Sequence, residues 1–411
     1  MKRLNIAVAG AGPAGLLAAA CLVRDGHQLR VFERFTAPRP LGAGLVLQPT
    51  GLACLARLGL DRPALSAGAI IIRISGRTPR GRRIVEMSYR DLDPKLFGLG
   101  IHRGALFKIL FDEVQRLHIP VAGATEIVSS RLETDGRTLT DQDGQVHGPF
   151  DLVVDGTGTG SRLRVCEGSV STNRPYAYGA LWCIVEMPSD WPHSATLSQV
   201  YDGAHTMAGL LPVGHCPGDG RQLAALFWSL RRQDLDAWRV DGLAAWKARV
   251  LALWPEVEPF IAQIQRAEDL TFATYSDMSM RQRYCERLVF IGDAGRTTSP
   301  QLGQGCNLAL IDATTLALTL REASSLSEAL RTYGARRQAH SAFYSTASRW
   351  LTPFFQSDSP TAGALRDLVF PTMGSVPYVK REMVRTMAGM KTGLFSHLDP
   401  GLWHPDYGTG R

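Results

Sequence analysis

Three glycines and one glutamate near the start of the chain have the spacing of a site that binds a dinucleotide. Gly10, Gly12 and Gly15 form a G-x-G-x-x-G pattern. Gly10 permits a tight turn, Gly12 lets the backbone approach a pyrophosphate, and Gly15 lets a helix pack closely on a strand. Further along, the carboxylate of Glu33 is placed to accept hydrogen bonds from ribose hydroxyls, and it disfavours a 2′-phosphate. These residues predict a nucleotide bound at a helix N-terminus.

The elements around this pattern support the same chemistry. The sequence predicts a buried strand over residues 5–9, a helix over 16–23 and a second strand over 29–32, which ends beside Glu33. One alternative is a glycine-rich turn in another α/β protein. A second is a membrane anchor, because residues 6–23 carry no charge. Pro13 and the three glycines inside that run argue against an anchor.

In two later segments a predicted buried strand is again followed by a glycine-rich loop. A strand over 150–154 leads into Asp155 and a glycine-rich run that ends at Arg164. A strand over 287–291 leads into Gly292 and Asp293, and a second glycine-rich loop then precedes a helix over 308–320. Backbone N–H groups in such loops bind negatively charged or oxygen-rich ligands. Both segments are therefore predicted to be places where the backbone approaches a ligand.

Residues 175–275 differ from the rest of the chain. Strands are predicted over 178–186, 197–201, 205–211 and 222–229, and a helix over 243–253. A mostly antiparallel sheet of this kind is suited to cover a bound cofactor. Its candidate pocket residues, for each of which ordinary core packing is the alternative, are Trp182, Tyr201, His205, Met207, Phe227 and Trp228. His205 is the one able to deprotonate a phenol near neutral pH, although a solvent-facing histidine is the alternative.

Composition excludes several classes of protein. The chain has 411 residues and a net charge of +7. Because the one dense basic cluster, within residues 77–83, is interrupted by glycine and proline, we interpret it as a solvated hairpin tip and expect no nucleic-acid partner. We also expect no signal peptide, no transmembrane segment and a cytoplasmic location. The cysteines, which predict free thiols and neither disulfides nor a metal site, are Cys21, Cys54, Cys166, Cys183, Cys216, Cys285 and Cys306.

Three motifs, in their order and spacing, resemble the FAD-dependent aromatic hydroxylases, the group A flavoprotein monooxygenases of the para-hydroxybenzoate hydroxylase type. The resemblance covers residues 1 to about 350, and three motifs in order are more specific than one. The motifs are the glycine pattern with Glu33, the run over 151–164, and Gly292-Asp293 followed by Pro300 and residues 303–305.

The resemblance implies roles for individual residues. Asp293 is expected at the FAD ribitol, Arg103 beside the flavin chain, and the 300–307 segment by the isoalloxazine ring. Because the flavin supplies the difficult chemistry, true catalytic side chains stay open, with His205 and Pro300 as the candidates. The residues expected to form the FAD site are Gly10, Gly12, Ala14, Gly15, Glu33, Arg34, Gln48, Arg103, Thr157, Gly292, Asp293, Pro300, Gly303, Gln304, Gly305 and Asn307.

One position departs from the family pattern. The middle motif of the family carries an aspartate where Thr157 stands, and Asp155 replaces a glycine. In the family that aspartate is implicated in handling both FAD and NAD(P)H. The resemblance still predicts FAD binding, with NADH or NADPH as a transient co-substrate. Because of Thr157, reduction of the flavin by a partner reductase is the alternative. The chain has no second G-x-G-x-x-G, so we expect no separate nicotinamide domain.

The activity that the resemblance implies is insertion of one oxygen atom from O2 into a small aromatic or heteroaromatic substrate, through a C4a-hydroperoxide of the flavin. The hydroperoxide has to be shielded from water, which calls for a buried pocket. Epoxidation, N-oxidation and lactone formation stay open, as do a reductase or dehydrogenase of the same fold and a non-catalytic flavin-binding partner. A halogenase is disfavoured because the W-x-W-x-I-P signature is missing.

The predicted fold class is α/β, or α+β overall. A Rossmann-like FAD-binding domain is expected over residues 1–75, 100–174 and 276–330. Residues 76–99 and 175–275 are expected to form an inserted, mostly antiparallel substrate-binding sheet, and 331–411 a helical C-terminal region. We expect a monomer or a homodimer.

Overall fold

The computed structural model describes residues 2–36, 44–164, 170–215 and 220–398. Predictions for Cys166, Cys216 and the end of the C-terminal region lie outside these residues. Within the described ranges the strands β1 to β20 are, in chain order, Asn5–Ala9, Gln28–Phe32, Gly44–Leu47, Ala69–Ile71, Arg73–Arg77, Arg83–Ser88, Gly98–His102, Val121–Ala122, Ile127–Leu132, Arg137–Asp141, Val146–Phe150, Leu152–Asp155, Val170–Glu186, Thr196–Asp202, Thr206–Gly214, Leu223–Arg231, Thr271–Met280, Tyr284–Cys285, Leu288–Phe290 and Arg296–Thr297.

The α-helices of the same ranges lie between these strands and, from α7 onwards, follow them. Helix α5 is interrupted at Gly242, whose φ of 80° is not helical. In chain order the helices α1 to α10 are Pro13–Arg24, Pro49–Ala56, Asp61–Ala67, Arg103–Arg116, Leu235–Leu253, Glu258–Ile261, Gly305–Glu322, Leu326–Phe355, Pro360–Ser375 and Pro377–Met387.

The nucleotide sheet has the strand order β18-β19-β12-β1-β2-β8, and the strands from β19 to β8 pair in parallel. Its central strands are apolar on both faces, as expected when helices cover both faces of a parallel sheet. Helix α1 packs against α4 and α7 in the main core of this domain. Because β1, β2, β12 and β19 run in the same direction, their carboxyl ends meet at one edge of the sheet. Gly10, Glu33, Asp155 and Gly292 are therefore brought together there.

The large sheet has the order β20-β17-β13-β16-β15-β14-β5-β6 and is antiparallel except for the β14–β5 pair. Successive side chains of its strands point to two opposite, buried faces. One face packs on Trp246 of α5 and Phe260 of α6. The other face is turned towards the nucleotide sheet. The strands β5, β13 and β17 cross the predicted domain boundaries at 75, 174 and 275, and β20, at residues 296–297, adds a further strand from beyond the last boundary. Two smaller antiparallel sheets have the orders β11-β10-β9 and β3-β7-β4.

The last helices close the molecule over the space between the two large sheets. Helix α7 is almost entirely buried, and α8 packs along it. The chain after α10 returns to this core, where Val384, Ala388 and Met390 are buried against residues of the large sheet. None of the helices in the described ranges combines the length and the hydropathy that a membrane crossing requires.

Candidate active site

The glycine pattern forms a tight turn at the start of α1. Gly10 has a φ of 96°, and a Cβ there would lie 2.6 Å from the carbonyl oxygen of Gly156. A Cβ on Gly15 would lie 2.0 Å from the carbonyl oxygen of Gly10, so both positions exclude a side chain. Gly12 differs, because no atom lies within 4 Å of the position of its Cβ. Since no side chain caps α1, its first N–H groups are free to bind an anion placed above Gly12.

Glu33 lies over this turn from the end of β2. One oxygen of its buried carboxylate accepts a hydrogen bond from the N–H of Ala11 at 2.7 Å, and the other accepts one from Phe35 at 3.1 Å. Arg34 lines the same cavity, and its guanidinium lies over the ring of Phe35, 4.7 Å from the centroid. Each carboxylate oxygen keeps a second lone pair for a ligand hydroxyl. The side chain is thus held where ribose hydroxyls of a nucleotide would lie.

The Gly292–Asp293 turn faces the glycine pattern from the other side of the cavity. Gly292 has a φ of 56°, and a Cβ there would lie 3.1 Å from the Cβ atoms of both Ala14 and Ala309. The N–H of Gly292 donates to Asp312 at 2.9 Å. Asp293 is exposed to the cavity, yet surrounding protein desolvates its carboxyl and raises its pKa, against which the charge of Arg103 acts. A carboxylate in this setting is suited to accept hydrogen bonds from ligand hydroxyls.

A buried asparagine holds the loop that closes the cavity near Pro300. The side-chain oxygen of Asn307 accepts from the N–H of Gln48 at 2.8 Å, and its amide nitrogen donates to the carbonyls of Val46 and Gly303, both at 3.1 Å. Gly303 is in the left-handed region, with a φ of 59°. Asn307 therefore fixes the segment around Gln48 and the loop after Pro300 relative to each other.

The departure from the family pattern at Thr157 is accommodated by its neighbour Asp155. This carboxylate is fully buried and accepts from the N–H of Thr157 at 2.9 Å and from its hydroxyl at 2.6 Å. Its other oxygen accepts from the hydroxyl of Ser161. Burial raises the pKa of Asp155, and these hydrogen bonds oppose the rise. The loop that carries Thr157, Gly158 and Gly160 into the cavity wall is thus held by a carboxylate two residues earlier.

A second buried network lies behind Gly292. One oxygen of Asp312 accepts from Arg337 at 2.6 Å, and both oxygens accept from Arg283, at 3.0 and 3.1 Å. Arg337 also donates to Nδ1 of His340 at 2.5 Å, and Nε2 of that ring donates to the carbonyl of Gly389 at 2.9 Å. Burial, with Arg337 next in importance, lowers the pKa of His340 well below its usual range. The network joins the Gly292 turn to the C-terminal segment.

Both loops and the large sheet enclose a cavity of about 1040 Å³. Three predicted pocket residues line it, and the rings of Trp182 and Phe227 lie 4.8 Å apart between centroids beside Met207. The predicted cofactor residues that line it are Gly10, Gly12, Ala14, Glu33, Arg34, Gln48, Arg103, Thr157, Gly292, Asp293, Pro300, Gly303 and Gly305. Gly15, Gln304 and Asn307 lie behind this lining. Gln304, for example, donates to the carbonyl of Met387 at 2.7 Å.

Three predicted pocket residues lie elsewhere, which corrects the expectation for them. His205 is exposed in the turn between β14 and β15, where its Nδ1 is 2.8 Å from the hydroxyl of Thr206. Trp228 is on the opposite face of the sheet and packs edge-on against Trp246, at 6.4 Å. Tyr201 is on the cavity face but is sealed from the cavity, because the guanidinium of Arg366 lies 4.8 Å from its ring centroid.

Other residues of the lining were not predicted from the sequence. Gln199 and Tyr275 are at alternating positions of their strands, so strand periodicity could have indicated them. Gln301, Gln356 and Arg296 carry no such local signal. Arg296 donates to the carbonyl of Ser341 at 3.0 Å and to the hydroxyl of Ser345 at 2.6 Å.

The donor set of the cavity fits FAD. An uncapped helix N-terminus with open space at Gly12 suits the pyrophosphate, Glu33 suits the adenosine ribose, and Asp293 suits the ribitol chain. These loops lie at the carboxyl edge of a parallel sheet, and an antiparallel sheet covers them. This arrangement is typical of a flavoprotein with a substrate-covering domain. Comparison with known sequences agrees: residues 3–345 match the family model described as FAD binding domain. The chain belongs to this family, and it is a flavoprotein monooxygenase of the FAD-dependent aromatic hydroxylase type.

Known relatives extend over most of the chain. It is 27% identical over 346 residues to the FAD-dependent urate hydroxylase of Klebsiella pneumoniae subsp. pneumoniae, covering 80% of this chain and 85% of the relative. It is 29% identical over 385 residues to the 3-amino-4-hydroxybenzoate 2-monooxygenase of Streptomyces cremeus, covering 87% and 90%.

Solved structures show the same fold. Klebsiella pneumoniae HpxO complexed with FAD and uric acid superimposes with a TM-score of 0.80 at 21% identity, covering 95% of this chain and 98% of that one. The tetrameric form of 2-methyl-3-hydroxypyridine-5-carboxylic acid oxygenase gives a TM-score of 0.77 at 21% identity, covering 94% and 97%. The predictions of fold class and family are thereby confirmed.

Proposed function

We propose that the protein inserts one oxygen atom of O2 into a small aromatic or heteroaromatic substrate, with NADH or NADPH as electron donor. The observation that carries this proposal is the single cavity shared by the FAD cradle and the aromatic face of the large sheet. Relatives whose names specify aromatic substrates, urate and 3-amino-4-hydroxybenzoate, support it. The substrate occupies the part of the cavity bounded by Trp182, Met207 and Phe227.

The side chains of this part bind and orient a flat ring. Trp182 and Phe227 are directly opposite each other on β13 and β16, so their rings form one continuous apolar surface. The indole N–H of Trp182 donates to the hydroxyl of Tyr275 at 3.0 Å, which fixes the plane of the indole. A ring that stacks on this surface has few orientations open to it, and limited orientation raises the rate of a bimolecular step.

The walls also keep water away from the reacting atoms. Ile74, Leu197 and Leu211 line the cavity from the sheet, and Met387 lines it from the end of α10. When bound, FAD supplies the activated oxygen that is transferred to the ring. No protein nucleophile is needed for that transfer, because the cofactor carries the chemistry. Pro300 and Gln301, in the turn Pro300–Leu302, add to this lining.

Anaerobic stopped-flow reduction of the purified holoenzyme tests the proposal. We expect NADH or NADPH to reduce the bound flavin, with faster reduction when an aromatic compound from a test panel is present. Admission of 18O2 to the reduced enzyme is then expected to give a product that is heavier by one 18O atom. Hydrogen peroxide without an oxygenated product across the panel would refute the proposal.

A partner reductase is the second candidate function, and Thr157 is the observation that favours it. Under this alternative neither nucleotide reduces the flavin on a catalytic timescale, although dithionite does. The variant Thr157→Asp separates the cases. If the residue limits reduction by nicotinamide, the rate rises in the variant, whereas a rate that is already fast in the parent protein excludes the alternative.

A further inference from the structure

The aromatic part of the cavity contains two glutamine side chains for which the proposed oxygenation chemistry has no use. Gln199 lies on β14, on the same face as the apolar residues around it, and Gln356 immediately follows α8. A primary amide buried in an apolar wall loses hydrogen bonds to water and has to regain them. In each amide the oxygen accepts a hydrogen bond from a neighbouring side chain, while the nitrogen has either a weak acceptor or none.

Gln356 shows this most clearly. The residue is 5% exposed, and its side-chain oxygen accepts from the amide nitrogen of Gln301 at 2.9 Å. Its own amide nitrogen is buried and has no hydrogen-bond partner among the residues that the structure describes. An unsatisfied buried donor is destabilising, and such groups are rare in folded proteins. Gln356 also lines the cavity, so a rotation of its side chain would turn this nitrogen from its buried position towards an acceptor on a ligand.

Gln199 has the same polarity. Its side-chain oxygen accepts from the hydroxyl of Tyr201 at 2.8 Å. Its nitrogen contacts the sulfur of Met207 at 3.7 Å, and a thioether is a weak acceptor. Both amides therefore have an occupied acceptor end and a donor end with a weak partner or none.

The positively charged side chains of the cavity lining come from the elements around the FAD cradle. Within the described residues, strands β13 to β17 and helices α8 to α10 contribute no lysine, arginine or histidine to the lining. Five arginines do line it. Arg34 lies over the ring of Phe35, and Arg162 is 3.6 Å from the carboxylate of Glu126. Arg283 is paired with Asp312, and Arg296 donates to Ser341 and Ser345. The charge of Arg103 acts on Tyr275 of β17 and is opposed by the carboxylate of Asp293. A substrate carboxylate seated against the large sheet would have to compete with Asp293 for Arg103, and without that cation it would be costly to bury.

We propose that Gln199 and Gln356 are specificity residues that donate hydrogen bonds to ring oxygens of the substrate, so the site selects an uncharged oxo- or hydroxy-substituted ring over the same ring bearing a carboxylate. The substrate class is thus a neutral, electron-rich ring with two acceptor oxygens or one shared acceptor. This inference rests on the proposed function only in taking the same cavity as the substrate site.

Equilibrium binding to the oxidised holoenzyme, measured by calorimetry without NAD(P)H, tests the selection directly. The probes are 4-hydroxyquinoline and 4-hydroxyquinoline-2-carboxylate, which differ by the carboxylate alone. We expect the neutral probe to bind at least about tenfold more tightly. Gln199→Leu and Gln356→Leu are each expected to weaken its binding about tenfold, because the ring oxygen loses a donor. Tighter binding of the carboxylate by the parent protein would overturn the proposal.

Two further variants separate a binding role from a structural one. Gln338→Leu changes an exposed glutamine on α8 and is expected to leave both affinities unchanged. Gln356→Glu keeps an oxygen that accepts from Gln301 and replaces the amide donor with a carboxyl oxygen, so the neutral probe is expected to bind more weakly. The melting temperature of this variant checks that the added carboxyl group leaves the fold intact. Unchanged binding in this variant, with normal FAD content, would contradict the assignment of Gln356.

Failure of the inference and failure of the proposed function give different results. Selection of the neutral probe without any 18O-labelled product refutes oxygenation and leaves the donor assignment in place. An 18O-labelled product together with preferential binding of the carboxylate refutes the donor assignment and leaves oxygenation in place.

Discussion

Replacement of Asp312 by asparagine tests whether the buried network behind Gly292 holds the cofactor turn. The carboxylate accepts from Arg283 at 3.0 and 3.1 Å, from Arg337 at 2.6 Å and from the N–H of Gly292 at 2.9 Å. The side chains of the three charged residues are 6%, 1% and 2% exposed for Arg283, Arg337 and Asp312. Asp312→Asn removes the negative charge and turns two N–H donors towards these groups.

The magnitude follows from this burial. Breaking a buried ion pair by removal of one partner costs about 3 to 5 kcal/mol, because the other charge is left uncompensated. Unfolding entropy of about 2.1 cal/mol/K per residue over 411 residues amounts to about 0.9 kcal/mol/K. The melting temperature of the variant is therefore expected to fall by about 3 to 6 °C. Because Gly292 also loses an acceptor for its N–H, we expect weaker FAD binding as well.

The assay is scanning calorimetry of the FAD-free protein at one scan rate, with FAD affinity measured separately by fluorescence. Asp112→Asn serves as the matched control, since it removes a carboxylate from the exposed pair with Lys108, whose side chains are 56% and 52% exposed for Lys108 and Asp112. Exposed pairs of this type contribute about 0.3 to 0.5 kcal/mol, so the control is expected to melt within about 1 °C of the parent protein. If Asp312→Asn melts as the control does and binds FAD normally, the network does not support the cofactor turn.

Three further outcomes follow from the structure. Gly15→Ala is expected to prevent correct folding, because its Cβ would lie 2.0 Å from a backbone oxygen, and the soluble yield of folded protein measures this. Gly12→Ala has open space at its Cβ and is expected to fold with an unchanged melting temperature. It is expected to bind FAD at least about tenfold more weakly, since the methyl group obstructs the pyrophosphate, and normal binding in an FAD titration of this variant would contradict the expectation. The lowered pKa of His340 keeps the ring neutral in the folded protein, while the unfolded chain takes up a proton near the ordinary pKa of 6.5, so the stability it contributes is complete above that pH and is lost as the pH falls. His340→Gln is therefore expected to lose less stability between pH 7.5 and 5.5 than the parent protein, by up to about 1.4 kcal/mol per pH unit, and parallel melting curves against pH would exclude this role.

The cofactor half of the site was predictable because its signals are local. Each of its loops directly follows a strand, and the direction of a parallel sheet brings such loops to one edge. The requirement for glycine at Gly10 and Gly15 also arises within a few residues of each position. The order of the three motifs indicated the family, and the match over residues 3–345 confirmed it.

The residues of the substrate half could not all be predicted from local sequence patterns. Strand alternation placed Phe227 and Trp228 on opposite faces, but which face meets the cofactor depends on where α5 packs. Tyr201 is on the cavity face and is nevertheless sealed, because the C-terminal helices bring Arg366 over its ring. His205 is exposed because it lies in the turn between β14 and β15, one residue before β15 begins at Thr206.

By itself, the sequence determined the nucleotide-binding elements and the presence of a covering sheet, since each depends on residue types within one strand, turn or helix. The cofactor FAD was implied by the resemblance of three motifs, in their order, to a known family. Tertiary structure decided which side chains share the cavity. Gln199 and Gln356 meet there only because α8 ends against the sheet. Their amide oxygens accept from Tyr201 and Gln301, contacts that no spacing in the sequence encodes. A binding site assembled from distant segments is decided by packing, because packing alone fixes which polar groups are buried with an unmet hydrogen bond.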